Sequence, residues 1–292
     1  MVVYQRVVKQ LNKNPSELAD VLKAEQKLQD RGHVEYVENL PSEIQEDLKN
    51  NPIQNFIHWH PVWNPNSIST SCRIVFDFSY PTPSSYSLND LLAKGRNNMN
   101  KLQEIYIRWR THPEAFHSDI EQMYPSLKLE SKHWCLQRYI FQKDLDPNAM
   151  PEEKVIMVVI YGAKSSGNQA EQAIRETARL QEGEFPEASK IVHKDLYVDD
   201  CLSGSSSKES MHQRADELVI MMKKGGFNWK GFTFSGEAPP NSLSEDGESV
   251  KVAGSRWYSE SDELQLDLGE ISFAKKKRGK KTTLEHDRFL KS

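Results

Sequence analysis

Long hydrophobic runs are missing: nowhere in the 292 residues do about 18 apolar residues follow one another, and residues 1–10 hold no apolar core of signal length. That excludes a membrane-spanning helix and a secretory leader, and a soluble, intracellular protein is expected. Cysteine is scarce. Cys72, Cys135 and Cys201 are widely spaced with no CxxC pair, which excludes a disulfide framework and a cysteine-rich zinc site and fits a reducing compartment. An excess of one charge is lacking too: 38 Lys and Arg against 42 Asp and Glu give a net charge of -4, so any nucleic-acid contact must come from local basic patches. Internal repeats, Asp-Thr-Gly or Asp-Ser-Gly protease motifs and a His/Cys zinc finger are absent. What is present suffices for a core, with 37% hydrophobic residues including 6 Trp, 10 Tyr and 11 Phe, far from the composition of a disordered chain. The length allows one large domain or two ordinary ones.

The spacing of apolar residues predicts mixed α and β structure. Pro15 and Ser16 open a helix to Arg31, with Leu18, Val21, Leu22 and Leu28 on one side and Gly32 as the stop. Residues 33–37 alternate as a short strand, and Ser42 with Gln45 forms a capping-box signature for a helix carrying Ile44 and Leu48. Strands are expected at 55–63 and 72–78 around a polar turn at 64–71, then a helix through Leu102, Ile105, Tyr106 and Trp109 ending before Pro113. Further strands are expected at 115–119, 133–141 and 154–161, a helix at 168–181 and a strand at 191–197. Val198, Asp199 and Asp200 read as a tight turn, 201–204 as the returning strand and 207–224 as a helix closed by Gly225 and Gly226. A polar loop at 239–247 precedes strands at 250–258 and 263–268. Lys275, Lys276, Lys277, Arg278, Lys280 and Lys281 form a basic run, either a solvated tail or a phosphate-contacting or nuclear-import segment.

The constellation with chemical content is Asp119, in Phe116-His117-Ser118-Asp119-Ile120, set against Tyr197-Val198-Asp199-Asp200 far downstream. A strand delivering one carboxylate and a hairpin delivering two more can hold two divalent ions, because Mg²⁺ takes one or two protein carboxylates and leaves its other positions to water and phosphate. Acidic pairs in turns are also commonly just solvated, and spacing alone favours that plainer reading. His58 and His60 share a strand face, but nothing supplies further ligands at metal spacing, so packing or hydrogen bonding is expected of them.

A series of blocks in order gives the context. They are Gly32-His33-Val34-Glu35-Tyr36-Val37, His60-Pro61-Val62, Arg73-Ile74-Val75-Phe76-Asp77, Ser87-Leu88-Asn89-Asp90 and the stretch from Ala115 to Tyr124. Tyr161-Gly162, Ser165-Ser166, Tyr197-Val198-Asp199-Asp200, Gly225-Gly226-Phe227 and Gly254-Ser255-Arg256-Trp257 follow. Together they make the chain resemble the reverse transcriptase of BEL/Pao-type retrotransposons over most of its length. The resemblance implies an α+β right-hand polymerase with fingers, a ferredoxin-like palm built on an antiparallel sheet, and a thumb largely missing from this fragment. The implied division is fingers at 1–101, palm at 102–129 with the first catalytic strand, a return to fingers at 130–155, palm at 156–268, and a basic tail at 269–292 that begins a thumb or connection.

The activity implied is RNA-directed DNA polymerisation on an RNA or DNA template-primer with deoxynucleoside triphosphates, using two Mg²⁺ ions, with Mn²⁺ as a substitute. No membrane is implied. Cytoplasmic virus-like particles, other parts of a polyprotein and nuclear entry through residues 275–281 belong to the same picture. Asp119, Asp199 and Asp200 match the catalytic metal ligands, with Asp119 and Asp199 the most direct. Arg73 matches the fingers arginine that grips the triphosphate, with Asp77 as its structural partner, and Tyr124 matches the ring beneath the deoxyribose that excludes a 2′ hydroxyl. Tyr161 and Gly162 match the turn lining the nucleotide pocket. Lys230 matches the late palm lysine that protonates pyrophosphate, although a solvated surface lysine fits its position equally. Gly167 departs from the proline of many relatives, which bears on Lys164 and Asn168. Two alternatives stand beside this reading: a catalytically inactive, co-opted nucleic-acid-binding remnant of the same fold, and an RNA-dependent RNA polymerase, against which the bulk of Tyr124 argues.

Overall fold

A computed structural model describes residues 2–64, 72–82, 85–244 and 246–266. Most of the expected turn at 64–71, the last residues of the strand at 263–268 and the basic run at 275–281 lie outside the described residues. The chain is mixed α+β, built on small antiparallel sheets with no barrel among the described residues.

The N-terminal part opens with α1 (Val2–Leu11), which sequence spacing did not suggest, and α2 (Pro15–Asp30), where Pro15 occupies the first turn and needs no amide partner. Then come β1 (Val34–Tyr36), α3 (Ser42–Asn50), β2 (His58–Trp63), β3 (Cys72–Asp77) and the single turn α4 (Leu88–Leu91). The expected capping box at Ser42 does not form. Ser42 is itself the first helical residue behind Pro41, so its hydroxyl is not placed to cap, and Gln45 donates to the carbonyls of Glu38 and Leu40. The capping box occurs instead at α4, between Ser87 and Asp90.

After α5 (Leu102–Trp109) and β4 (Glu114–Glu121), the chain returns to the N-terminal part through β5 (Arg138–Phe141) and β6 (Glu152–Ile156). β6 pairs with both β1 and β5, joining residues 34–36 to 138–156 in one sheet. The strand expected at 133–141 is half a 3-10 helix (Ser131–Leu136), pinned by the Trp134 indole donating to the Leu129 carbonyl. The strand expected at 154–161 ends at Ile156, and Val158 bridges to Lys128 instead. Val8, Val21, Trp59, Phe76, Tyr139 and Ile156 fill one core. Beside it Lys154, fully buried, pairs with Glu25, donates to Gln29 at 2.8 Å and stands 3.9 Å over the Tyr36 ring. Burial holds the Lys154 pKa down while the Glu25 carboxylate opposes that shift.

The remaining elements are α6 (Ser166–Leu180), α7 (Pro186–Asp195), β7 (Leu196–Tyr197), β8 (Asp200–Ser205), α8 (Lys208–Lys224), β9 (Asn228–Phe234), β10 (Val250–Val252), β11 (Ser255–Tyr258) and β12 (Glu263–Leu266). The strand expected at 191–197 is mostly α7. Buried Ala188, Ile191, Val192 and Asp195 recur at helical spacing after Pro186, and only Leu196 and Tyr197 extend. The strand expected at 250–258 is a hairpin broken at Ala253 and Gly254, both left-handed (φ 43° and 90°). β9 had no counterpart among the expected elements.

β4 lies inside the four-stranded sheet β7-β8-β4-β9, hydrogen-bonded on both edges. Alternation splits its side chains. Phe116 and Ile120 pack with Cys201 against Ile174, Ile191, Leu218 and Met222 of α6, α7 and α8. On the other face Ala115 and Leu202 pack with Ile105 and Trp109 of α5 and with Val250, Val252 and Trp257 of the β10–β11 hairpin. Each large apolar side chain buried this way contributes about 1.5–3 kcal/mol, so the central strand is fixed from above and below.

Candidate active site

Alternation along β4 puts His117 and Asp119 on the same face, and the antiparallel register sets Asp119 directly opposite Asp200 of β8. β7 and β8 are joined by a two-residue loop, Val198 and Asp199, closed by the Tyr197–Asp200 pair. Val198 sits at φ 57°, a left-handed conformation that is strained for a β-branched residue and costs about 1–3 kcal/mol. The loop is tied down where the strain is stored: the Ile120 amide donates to the Asp199 carbonyl at 2.9 Å. Behind it, Arg108 of α5 and Ser203 of β8 both donate to the Asp195 carboxylate, and Asn100 donates to the Leu196 carbonyl. Three carboxylates are thereby carried on a braced hairpin and a central strand.

Lys230 reaches this cluster through a bulge. Ser118 pairs with Phe232 but Ile120 pairs with Trp229, so β9 has one residue too many opposite Asp119. Gly231 absorbs the irregularity at φ 134°, and the Ser118 hydroxyl donates to its carbonyl at 2.7 Å. The result aims Lys230 Nζ to 2.8 Å from Asp119 Oδ1. Gly231→Ala is expected to cost about 1–3 kcal/mol in urea unfolding, because an L-residue is strained at that φ. An unchanged midpoint would show that the bulge does not depend on glycine.

Burial pushes the Asp119 pKa up, the Lys230 ammonium opposes this, and Asp200 adds to it. Asp119 Oδ1 is buried, and the Lys230 ammonium 2.8 Å away is its charge partner. Asp199 is pushed from 3.8 to about 6, first by burial and then by the charges of Asp119 and Asp200. The folded chain therefore holds the Asp199 proton more tightly than the unfolded chain does. The resulting stability is fully present below about pH 4 and is lost as pH rises through 6. In cation-free buffer, the melting-temperature advantage of Asp199→Asn over the parent chain should grow from pH 4 to pH 7. A difference that stays flat with pH would refute this electrostatic account.

Tyr124 lies in the turn after β4, its ring edge-on to Tyr161 with centroids 4.4 Å apart. The two rings differ in exposure: Tyr124 lines a cleft of about 240 Å³ with Met123, Val198, Ile174 and Val192, while Tyr161 faces outward at 55% exposure. The packed side of the Tyr161 ring is shielded from water, which pushes its hydroxyl up to about 12. Asp199, Tyr124 and Asp119 add to that shift and Arg73 opposes it. Those residues thus lie within electrostatic reach of Tyr161. Arg73 is exposed on β3, while Asp77, expected to partner it, accepts from the Ser79 amide at 2.9 Å. Gly162, at φ 105°, sits so close to β3 that an added Cβ would stand 2.7 Å from the Phe76 carbonyl oxygen.

Two residues with roles here escaped the sequence reading. Asn89, noted only as part of a block, donates to the Gly162 carbonyl at 2.9 Å and accepts from the Lys164 amide at 2.7 Å, clamping that turn to α4. His117 donates to Asp200 at 2.8 Å, and its strand parity with Asp119 was the available signal. Gly167 opens α6 beside Tyr124, where a Cβ would lie 3.8 Å from the tyrosine hydroxyl, an ordinary contact, and Asn168 donates to the Arg96 carbonyl. His58 and His60 pack against each other (ring centroids 6.2 Å), and His58 also against Tyr80.

Among the described residues no three His, Cys, Asp or Glu side chains are drawn together into a ready-made metal cage, and no helix is long and apolar enough to cross a membrane. Compared with known proteins, the chain matches no family model and no curated sequence.

Proposed function

We propose that the chain performs template-directed DNA synthesis by nucleotidyl transfer, as its resemblance to BEL/Pao-type reverse transcriptases implies. The observation that carries this reading is the opposition of Asp119 and Asp200 across β4 and β8, with Asp199 in the strained loop bound back to β4. Burial raises Asp119 against the opposing Lys230 ammonium, and burial with the charges of Asp119 and Asp200 raises Asp199, an electrostatic setting that favours a cation among these carboxylates. Asp119, Asp199 and Asp200 fit Mg²⁺ or Mn²⁺ as hard oxygen donors. Ions held there would lower the pKa of a primer 3′ hydroxyl and offset the triphosphate charge.

The side chains divide the remaining work. Arg73 offers a guanidinium fork to the triphosphate from the exposed edge of β3. Gly162 lets the Tyr161 turn seat closely against β3, and Asn89 holds it there. Tyr124 limits the sugar. Lys230 donates a proton to the leaving pyrophosphate from its post beside Asp119. On this reading the β7-β8-β4-β9 sheet with α6, α7 and α8 is the palm, and the sheets containing β1, β2, β3, β5 and β6 are the fingers.

Primer extension by the purified chain on RNA and DNA templates tests the reading. Extension is expected with Mg²⁺ or Mn²⁺ and none in EDTA. Tight duplex binding with no extension in either ion would leave the non-catalytic remnant as the better account.

A further inference from the structure

His117 is 6% exposed and sits on the face of the sheet that is otherwise lined by Ala115, Leu202, Trp109 and Val252. A polar ring is costly in such a place unless it is hydrogen-bonded, and its Nε2 has one partner, Asp200 Oδ1, at 2.8 Å. The contact is diagonal across the sheet. His117 is in register with Leu202 and Asp200 with Asp119, so the imidazole reaches past its own partner to the carboxylate beside Asp119. Because a carboxylate oxygen only accepts, the ring carries its proton on Nε2 in this contact. Asp200 and Asp119 are therefore held differently: Asp200 by a buried imidazole through one oxygen, Asp119 by the Lys230 ammonium at 2.8 Å.

We propose that His117 is a positioning residue, fixing Asp200 through Oδ1 so that the rest of the carboxylate is presented to divalent cations held with Asp119 and Asp199. This inference rests on the function proposed above. The physical reason is entropic and geometric: an Asp side chain at the start of a strand has free χ angles, and a charge-assisted hydrogen bond from a buried ring selects one orientation before any ion arrives. Asp200 belongs to the acidic box, but the device that orients it comes from the opposite strand.

Mn²⁺ binding to the purified chain, followed by calorimetry and by the electron paramagnetic resonance signal of free Mn²⁺, tests this without turnover. His117→Leu should weaken Mn²⁺ binding about tenfold, the usual scale for an outer partner of a metal ligand, and Asp200→Asn, which removes a ligand charge, at least as much. The double variant should be no weaker than Asp200→Asn alone, because the two residues act through one contact. His117→Gln, whose amide nitrogen can stand near Nε2, should restore binding to within about twofold, and His117→Asn, too short to reach, should not. His117→Asn also keeps a polar group in place, which gives a reading if the leucine variant fails to fold. A lowered melting temperature with unchanged Mn²⁺ affinity in the Leu and Asn variants would overturn the proposal, as would additive losses in the double variant. Mn²⁺ binding that is indifferent to Asp119→Asn and Asp199→Asn would instead remove the cation site itself, and the proposal with it.

Discussion

Asp199→Asn is expected to abolish primer extension, lowering its rate by about 10³-fold or more, while making the cation-free protein melt at a higher temperature. On the proposed reading, the first effect follows from removing a charge on which cation-assisted transfer would depend, worth several kcal/mol of transition-state stabilisation. The second follows from the pKa of about 6 at Asp199: burial and the neighbouring carboxylates make its ionised form unfavourable at pH 7, and asparagine keeps the volume without the charge. A shift of roughly 2–4 °C would correspond to each kcal/mol recovered in a domain of this size. Asp119→Asn should match the activity loss. Its stability gain should be smaller, because Lys230 already offsets part of the Asp119 charge and would lose its partner. Extension at the parental rate by either folded variant would refute the assignment. Loss of extension with a falling melting temperature would point to a carboxylate needed for structure.

Tyr124→Ala should raise the efficiency of ribonucleotide use relative to deoxynucleotide use by about tenfold or more, the scale on which a steric wall discriminates. The tyrosine is half-buried, edge-on to Tyr161, beside Val198 of the strained loop, and its hydroxyl pKa is raised by burial and then by the Asp199 charge. Those contacts put the ring against Tyr161 and within electrostatic reach of Asp199, where a sugar would lie on the proposed reading. If the ring served only packing, its truncation should cost about 3–5 kcal/mol and depress use of both sugars together. Measuring the ratio of the two efficiencies alongside a thermal melt separates these outcomes. An unchanged ratio with a lowered melting point would take Tyr124 out of the site.

Much of the framework was legible because local rules and burial agree. Leu18, Val21, Leu22 and Leu28 mark one face of α2, and Ser207 caps α8, which gives way at Gly225 and Gly226. The failures have separate causes. Ile191 and Val192 are β-branched and read as strand, yet their spacing from Ala188 and Asp195 is helical, and burial against α6 and α8 decided the outcome. β9 was invisible because Asn228-Trp229-Lys230-Gly231 breaks alternation, and that break is the bulge that aims Lys230. In the site, Asp119, Asp199 and Asp200 were readable from type and context. His117 and Asn89 were not, since each acts through a partner far away in sequence that only the fold brings near.

The in-register meeting of β4 and β8 also bears on how the chain reaches its native state. Asp119 and the Asp199–Asp200 pair are separated by the stretch that forms β5, β6, α6 and α7, so this pairing is strongly non-local and its loop-closure cost falls due before its contacts form. When the strands pair, Asp119 is brought opposite Asp200 with Asp199 beside them, so like charges meet as this long-range contact forms. Divalent cations should therefore act as folding catalysts for this protein. Refolding should be faster in millimolar Mg²⁺ than in EDTA, and the difference should vanish in Asp119→Asn, whose closing strands carry one repulsive charge fewer.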